Sequence, residues 1–179
     1  MESKVKLFGH PIHPMLIVLP LGLLATALIF DILYLITGNG ALATVAFWNI
    51  LAGIIGGLLA AVFGLIDWLA IPGGTRAKQV GLLHGVGNVV VVGLFAVSWL
   101  LRLNTAGNVP DTLPLILELV AVALALVTGW LGGELVDRLG VGVDEGANLN
   151  APNSLSGQPA SSSLGAGDMG QRPAMRPGR

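Results

Sequence analysis

The chain has 179 residues, of which 54% are hydrophobic and only 11% charged, less than half the charged fraction of an ordinary soluble domain. A formal net charge of −1 with no Lys/Arg run excludes a nucleic-acid-binding surface. The absence of cysteine excludes disulfides, thiolate metal ligands and a cysteine nucleophile.

The chain opens on a short polar segment that runs into "FGHPIHPMLIVLPLGLL" at 8–24, where His10 and His13, each followed by proline, stand directly before an apolar run. Residues preceding proline are steered out of helical geometry, so "HPIHP" predicts a stiff extended segment with Pro14 in the first helical position. Lys4 and Lys6 ahead of this run, and "ALA" at 41–43 beyond it, resemble a secretory signal. The run is longer than an h-region of about 7–15 residues, which predicts a retained helix instead. Pro20 frees the carbonyl of Leu16 and should bend that helix.

Four apolar segments follow one another at about 14–37, 42–70, 81–103 and 112–135, each long enough to cross a hydrocarbon core about 30 Å thick. They lack the alternating polar pattern of barrel strands, so each is expected to be a helix. The links "TGNG" at 37–40, "IPGGTRAKQ" at 71–79 and "NTAGNVPDTLP" at 104–114 are short and carry turn residues, which makes sequential helices antiparallel neighbours. The fold class expected is all-α: an integral membrane antiparallel four-helix bundle spanning residues 1–139.

Small residues recur at four-residue spacing as Gly53, Gly57 and Ala61, as Gly56, Ala60 and Gly64, and as Gly129 and Gly133. Close helix packing is the preferred reading, with space for a flat cofactor as the alternative. No internal repeat is legible. From about residue 140 to 179 the composition turns to Gly, Ser, Ala, Pro and Asn with no aromatic residue, which predicts a disordered tail.

Basic residues set the expected orientation. Lys4, Lys6, Arg76, Lys78 and Arg138 fall at the membrane end that carries the N-terminus, against Arg102 alone at the far end, so both termini are expected in the cytoplasm. Aromatic residues fit the same layout, with Phe8, Trp68 and Trp130 at one level and Tyr34, Trp48 and Trp99 at the other.

Ionisable groups inside membrane segments are costly enough to be functional candidates by default. His13, Asp67, His84 and Glu134 are all expected at the N-terminal end of the bundle, with Asn88 one turn deeper than His84 on the same helical face. With His10 nearby, these residues could hold a cofactor: His13, His84, His10 and Asn88 about a haem, or His10, His13, His84, Asp67 and Glu134 about a metal ion. At the far end, Asp31 and Glu118 are expected to share a proton or a hydrogen bond with Asn49 or Arg102 in a structural contact. Asp111 and Arg102 are expected to be solvated.

"GHPIHPMLIVLPLGLL" followed by "DWL" at 67–69, "HGVGN" at 84–88 and "GWLGGELV" at 129–136 resembles the bacterial four-helix membrane family known as domain of unknown function 2231. The resemblance runs from about residue 8 to 138 and implies a bacterial inner-membrane protein. Some members of that family are joined to iron–sulphur domains of the Rieske type, which implies a redox setting. It marks His10, His13, Asp67, His84, Asn88 and Glu134 as motif positions without assigning them a chemistry.

Three functions remain open on these grounds. The first is a haem b or transition-metal site in electron transfer, for which helices 1 and 3 lie across the bundle diagonal and can present His13 and His84 to one centre. The second is an ion- or proton-responsive carrier or sensor. The third is a structural subunit whose polar cluster locks the helices. No Ser/His/Asp set and no phosphate loop suggests an enzyme acting on its own. The expected partners are membrane lipid and a separate redox protein.

Overall fold

The structure is a computed structural model and describes residues 1–163. Four helical spans run up and down. The first is interrupted into α1 (Ile12–Leu16) and α2 (Val18–Thr37), and the others are α3 (Gly40–Ala70), α4 (Arg76–Arg102) and α5 (Thr112–Gly133), which continues as one π-helical turn over Glu134–Arg138. All four spans are long and apolar enough to cross a membrane. Large aliphatic side chains such as Ile36, Val89 and Leu126 cover the outward faces, and the core sets Leu24, Ile50, Val91 and Phe95 against the small Ala27, Ala46 and Ala121. Apolar groups face outward because lipid tails solvate them, and small residues between helices let the backbones pack closely.

Local chemistry sets the links. Gly38 adopts φ +70° and donates its N–H to the Tyr34 carbonyl at 2.8 Å, closing α2, and the Asn39 side chain accepts the Ala41 N–H at 3.1 Å, opening α3. The connection between these spans is thus two residues long. Thr75 caps α4 by accepting the Lys78 N–H at 3.2 Å, so α4 starts at Arg76, five residues before the expected 81, and the second link shrinks accordingly. The break at Ile17 lies three residues before Pro20, where the missing proline N–H leaves the Leu16 carbonyl free, as expected.

Two expectations for the first segment are corrected. "HPIHP" is extended only at His10–Pro11, and His13 is already helical, because a proline in the first turn removes no intrahelical bond. Pro14 is accordingly the third residue of α1, not the first, and Pro11 is its N-cap. His10–Pro11 form β2, which pairs antiparallel with β1 (Lys6–Leu7). The turn between them is Phe8 and Gly9 with φ +51° and +83°, both in the left-handed region.

The segment expected to be a disordered tail divides. Residues 141–163 carry turns and two short 3-10 segments, of which Ser154–Ser156 lies against the Phe8–His10 turn and Ala160–Ser163 against Gly146 and Asn148, and 164–179 fall outside the described residues. The N-terminal amine donates to the Gly140 carbonyl at 2.7 Å, the Gly142 N–H donates to the Met1 carbonyl at 2.8 Å, Lys6 bridges Glu2 and Asp144, and the Ser154 hydroxyl donates to the Phe8 carbonyl at 3.2 Å.

The bundle is two helical hairpins: α2 packs along α3 and α4 along α5 more extensively than either pair meets the other. Seven of the first hairpin's buried positions fall in register with buried positions of the second. A shift of 71 residues carries Leu24, Ala27 and Asp31 onto Phe95, Ser98 and Arg102, and a shift of 68 carries Ala46, Ile50, Gly53 and Ala60 onto Pro114, Glu118, Ala121 and Thr128, all of them buried. The same two shifts carry His13 onto His84 and Gly64 onto Gly132, while the seven buried pairs all differ in residue type, so few letters reveal the repeat.

Candidate functional site

His13 and His84 stand across the diagonal of the bundle at its N-terminal end, one on α1 and one on the third turn of α4. Their ring centroids are 6.5 Å apart and their planes are at 85°. Each is held in the same way. The Nδ1–H of His13 donates to the Ala60 carbonyl of α3 at 2.9 Å, and that of His84 donates to the Thr128 carbonyl of α5 at 2.8 Å. The hydrogen is on Nδ1 in both cases because a carbonyl only accepts.

One turn beyond each accepting carbonyl is a glycine on which the ring lies. A Cβ on Gly64 would come within 2.8 Å of His13 Cε1, and one on Gly132 within 3.1 Å of His84 Cε1. These positions are therefore filled by imidazole. Along α3, Gly53, Gly56 and Gly57 are likewise filled, by Leu24, Leu19 and Val92, so close packing accounts for the small-residue spacing of that helix and no flat slot runs along it.

The Nδ1 bonds aim Nε2 of both rings away from the backbone. Nε2 of His84 accepts from the Asn88 amide at 3.2 Å, and that amide also donates to the His84 carbonyl at 2.8 Å. Asn88 Oδ1 accepts the Thr128 hydroxyl at 3.0 Å, which fixes the amide's orientation. Nε2 of His13 has no protein hydrogen bond among the described residues.

The other expected ligands share the same end of the bundle but not the same place. Asp67 receives the Ser3 hydroxyl at 2.8 Å and the Lys4 N–H at 2.8 Å, so it anchors the N-terminal segment. Glu134 accepts from Arg76 at 2.6 Å. His10 lies on the outside, 3.3 Å from the Ser154 hydroxyl. The five-residue ligand set expected from sequence is thus divided, and among the described residues no three His, Asp or Glu side chains converge on one point. A helix end fixes the height of a side chain in the bundle. Its direction follows from the turn it occupies and from the nearest donor.

A second cluster is buried at the far end. Arg102 is fully buried, a correction to its expected solvation. Its Nη1 and Nη2 donate to the two oxygens of Asp31 at 2.6 and 2.9 Å, Nη1 also donates to Glu118 Oε1 at 3.1 Å, Nη2 to the Ala43 carbonyl at 3.0 Å, and Nε to the Asn108 carbonyl at 2.8 Å. The Ser98 hydroxyl completes the set by donating to Glu118 Oε1 at 2.6 Å. The expected contact of Asp31 and Glu118 thus forms with Arg102. It joins α2, α4 and α5 through side chains and α3 through a carbonyl. The sequence signal for burial was a pair of carboxylates, Asp31 and Glu118, each six residues inside its span at the membrane level of Arg102.

A family model described as "Predicted membrane protein (DUF2231)" matches residues 9–145, which include His10, both facing histidines and all of the far-end cluster. No curated protein and no solved structure matches the chain.

Proposed function

The chain belongs to the family of predicted membrane proteins that this description names, and from that premise we propose that it binds one transition-metal centre between His13 and His84 and serves in electron transfer. The observation that carries this reading is the pair of Nδ1–H bonds to backbone carbonyls. Metal-bound histidines almost always donate their other ring N–H to a carbonyl or carboxylate, which fixes the tautomer and presents a neutral Nε2 lone pair.

The spacing supports one shared centre. Two imidazoles on opposite sides of an ion, each with a metal–nitrogen bond of about 2 Å, bring their ring centroids about 6 Å apart, close to the 6.5 Å found. Imidazole suits copper, iron, zinc and nickel, of which copper and iron transfer electrons. A bare ion asks only that Asn88 give up its bond to His84 Nε2. A haem b iron uses the same two axial nitrogens and supplies its own equatorial ligands, but its macrocycle needs the helices to separate. The ion is therefore preferred over haem. Electrons would pass to a separate partner protein.

We further place the protein in a bacterial plasma membrane with both termini in the cytoplasm. Burial of Arg102 strengthens this orientation, since no solvated basic side chain then stands against the five at the N-terminal end.

A second reading rests on the Asn88 bond: His84, Asn88 and Thr128 already satisfy one another, so the histidines would serve only as staples, His13 tying α1 to α3 and His84 tying α4 to α5. Protein purified in mild detergent decides between them. Metal analysis should find one equivalent of copper or iron, and the visible spectrum should change on reduction. A Soret band would select haem, and a protein free of both metal and haem that can be loaded with neither would leave the staple.

A further inference from the structure

The far-end cluster holds two carboxylates and one guanidinium, all fully buried. Every donor of the guanidinium is committed: its five N–H groups go to Asp31 Oδ1 and Oδ2, Glu118 Oε1 and the carbonyls of Ala43 and Asn108. Asp31 takes the two-pronged face that best balances a negative charge. Glu118 receives one longer Arg102 bond and the Ser98 hydroxyl, both on Oε1. Its Oε2 is buried and has no partner.

We propose that Glu118 is a proton-binding site and carries a proton on Oε2 in the membrane-embedded protein. With both carboxylates ionised, the cluster would hold a net charge of about −1 in a medium where an uncompensated ion costs several kcal/mol. Binding one proton makes it neutral, with Arg102 and Asp31 as the ion pair and Glu118 as an acid. The charged or titratable groups facing Glu118 are Asp31 from α2 and Arg102 from α4, while α3 contributes the Ala43 carbonyl and the link before α5 the Asn108 carbonyl. Arg102 is the last residue of α4 and Asn108 belongs to the exposed link, so the proton exchanges with water at the far end. The cluster can therefore respond to pH on that side of the membrane, independently of any ligand on the histidines.

Infrared difference spectroscopy of the full chain in lipid tests the assignment. Wild-type protein at neutral pH should show the carbonyl stretch of a protonated carboxyl, which Glu118→Gln removes and Asp31→Asn leaves in place. Glu118→Gln, a neutral isostere that keeps an oxygen for Ser98 and Arg102, should melt with the wild type, whereas Glu118→Ala should melt lower. A spectrum with no protonated-carboxyl band lost in Glu118→Gln would overturn the proposal, as would loss of the band in Asp31→Asn alone.

Discussion

The ring of His13 rests on Gly64, whose added Cβ would lie 2.8 Å from Cε1, and its Nδ1–H bonds the carbonyl one turn earlier on the same helix, at 2.9 Å. The glycine makes room for the ring and the carbonyl sets its tilt, so ring position depends on a residue that no ligand touches. His84 and Gly132 repeat the arrangement across the bundle.

On the proposed metal centre, Gly64→Ala should reduce metal content as His13→Ala should, because the ring has to move by a few tenths of an ångström or more away from its carbonyl. Gly129→Ala, where a Cβ meets nothing within 4 Å, is the matched control and should retain metal. Metal-to-protein ratios and circular dichroism of the three variants check this. Normal metal content in Gly64→Ala and His13→Ala alike would refute a site at His13.

Removing Arg102 should be the most damaging change at the far end. Arg102→Met strands Asp31 without a counter-charge, and breaking a buried pair on one side costs about 3–5 kcal/mol. Arg102→Lys should rescue little of it, since one ammonium has three donors and no planar fork. Thermal unfolding in detergent measures both. A Lys variant as stable as the wild type would show that charge alone matters there.

The closure of the N-terminus and residues 141–163 over one another, here called the lid, should depend on pH and salt through its own ion pairs. The hydrogen bond from Lys6 holds the Glu2 carboxyl below its ordinary 4.5, and the bonds to Asp144 and Glu2 hold the Lys6 ammonium above its ordinary 10.5. The Glu2 contribution is present above pH 4.5 and fades as pH falls through the lowered value, and the Lys6 contribution is present below 10.5 and fades as pH rises through the raised one. Between those limits the lid should be closed, and molar salt should loosen it because these groups are partly exposed. Hydrogen exchange at residues 1–8 reports it, and exchange there that ignores pH and salt would mean that the ion pairs do not hold the lid.

Truncation after Gly140 separates the lid from the bundle. The spans keep all their mutual contacts, so the melting temperature in detergent should hardly change. Exchange at residues 1–8 should rise, as Asp144, Glu145 and Ser154 no longer hold them. A large loss of melting temperature would mean that residues beyond 140 support the spans themselves.

Orientation has its own test. A reporter active only in the cytoplasm should work when fused at residue 140 and fail when inserted in the 104–111 link. The reverse pattern would invert the topology proposed above.

Composition and segment length were enough to establish four spans and their up-down order, because lipid leaves an apolar chain of this length few alternatives to a helix. Spacing also placed the break near Pro20, brought His13 and His84 to one end, and set Asn88 beside His84. These are consequences of local sterics and helical period, which act within a turn or two. What the letters could not decide was direction around each helix. Asp67 and Glu134 reach the same end as the histidines, yet they turn to Ser3 and Arg76, because a carboxylate at a helix end takes the nearest donor and those donors lie on other segments. Arg102 reads as a solvated terminal residue until α2 and α5 pack against α4 and surround it with Asp31 and Glu118. The matched register of the two hairpins is hidden for a related reason: the buried pairs differ in residue type, isolated letters such as His13/His84 and Gly64/Gly132 alone repeat at the site, and burial is a property of neighbours that only the packed bundle supplies.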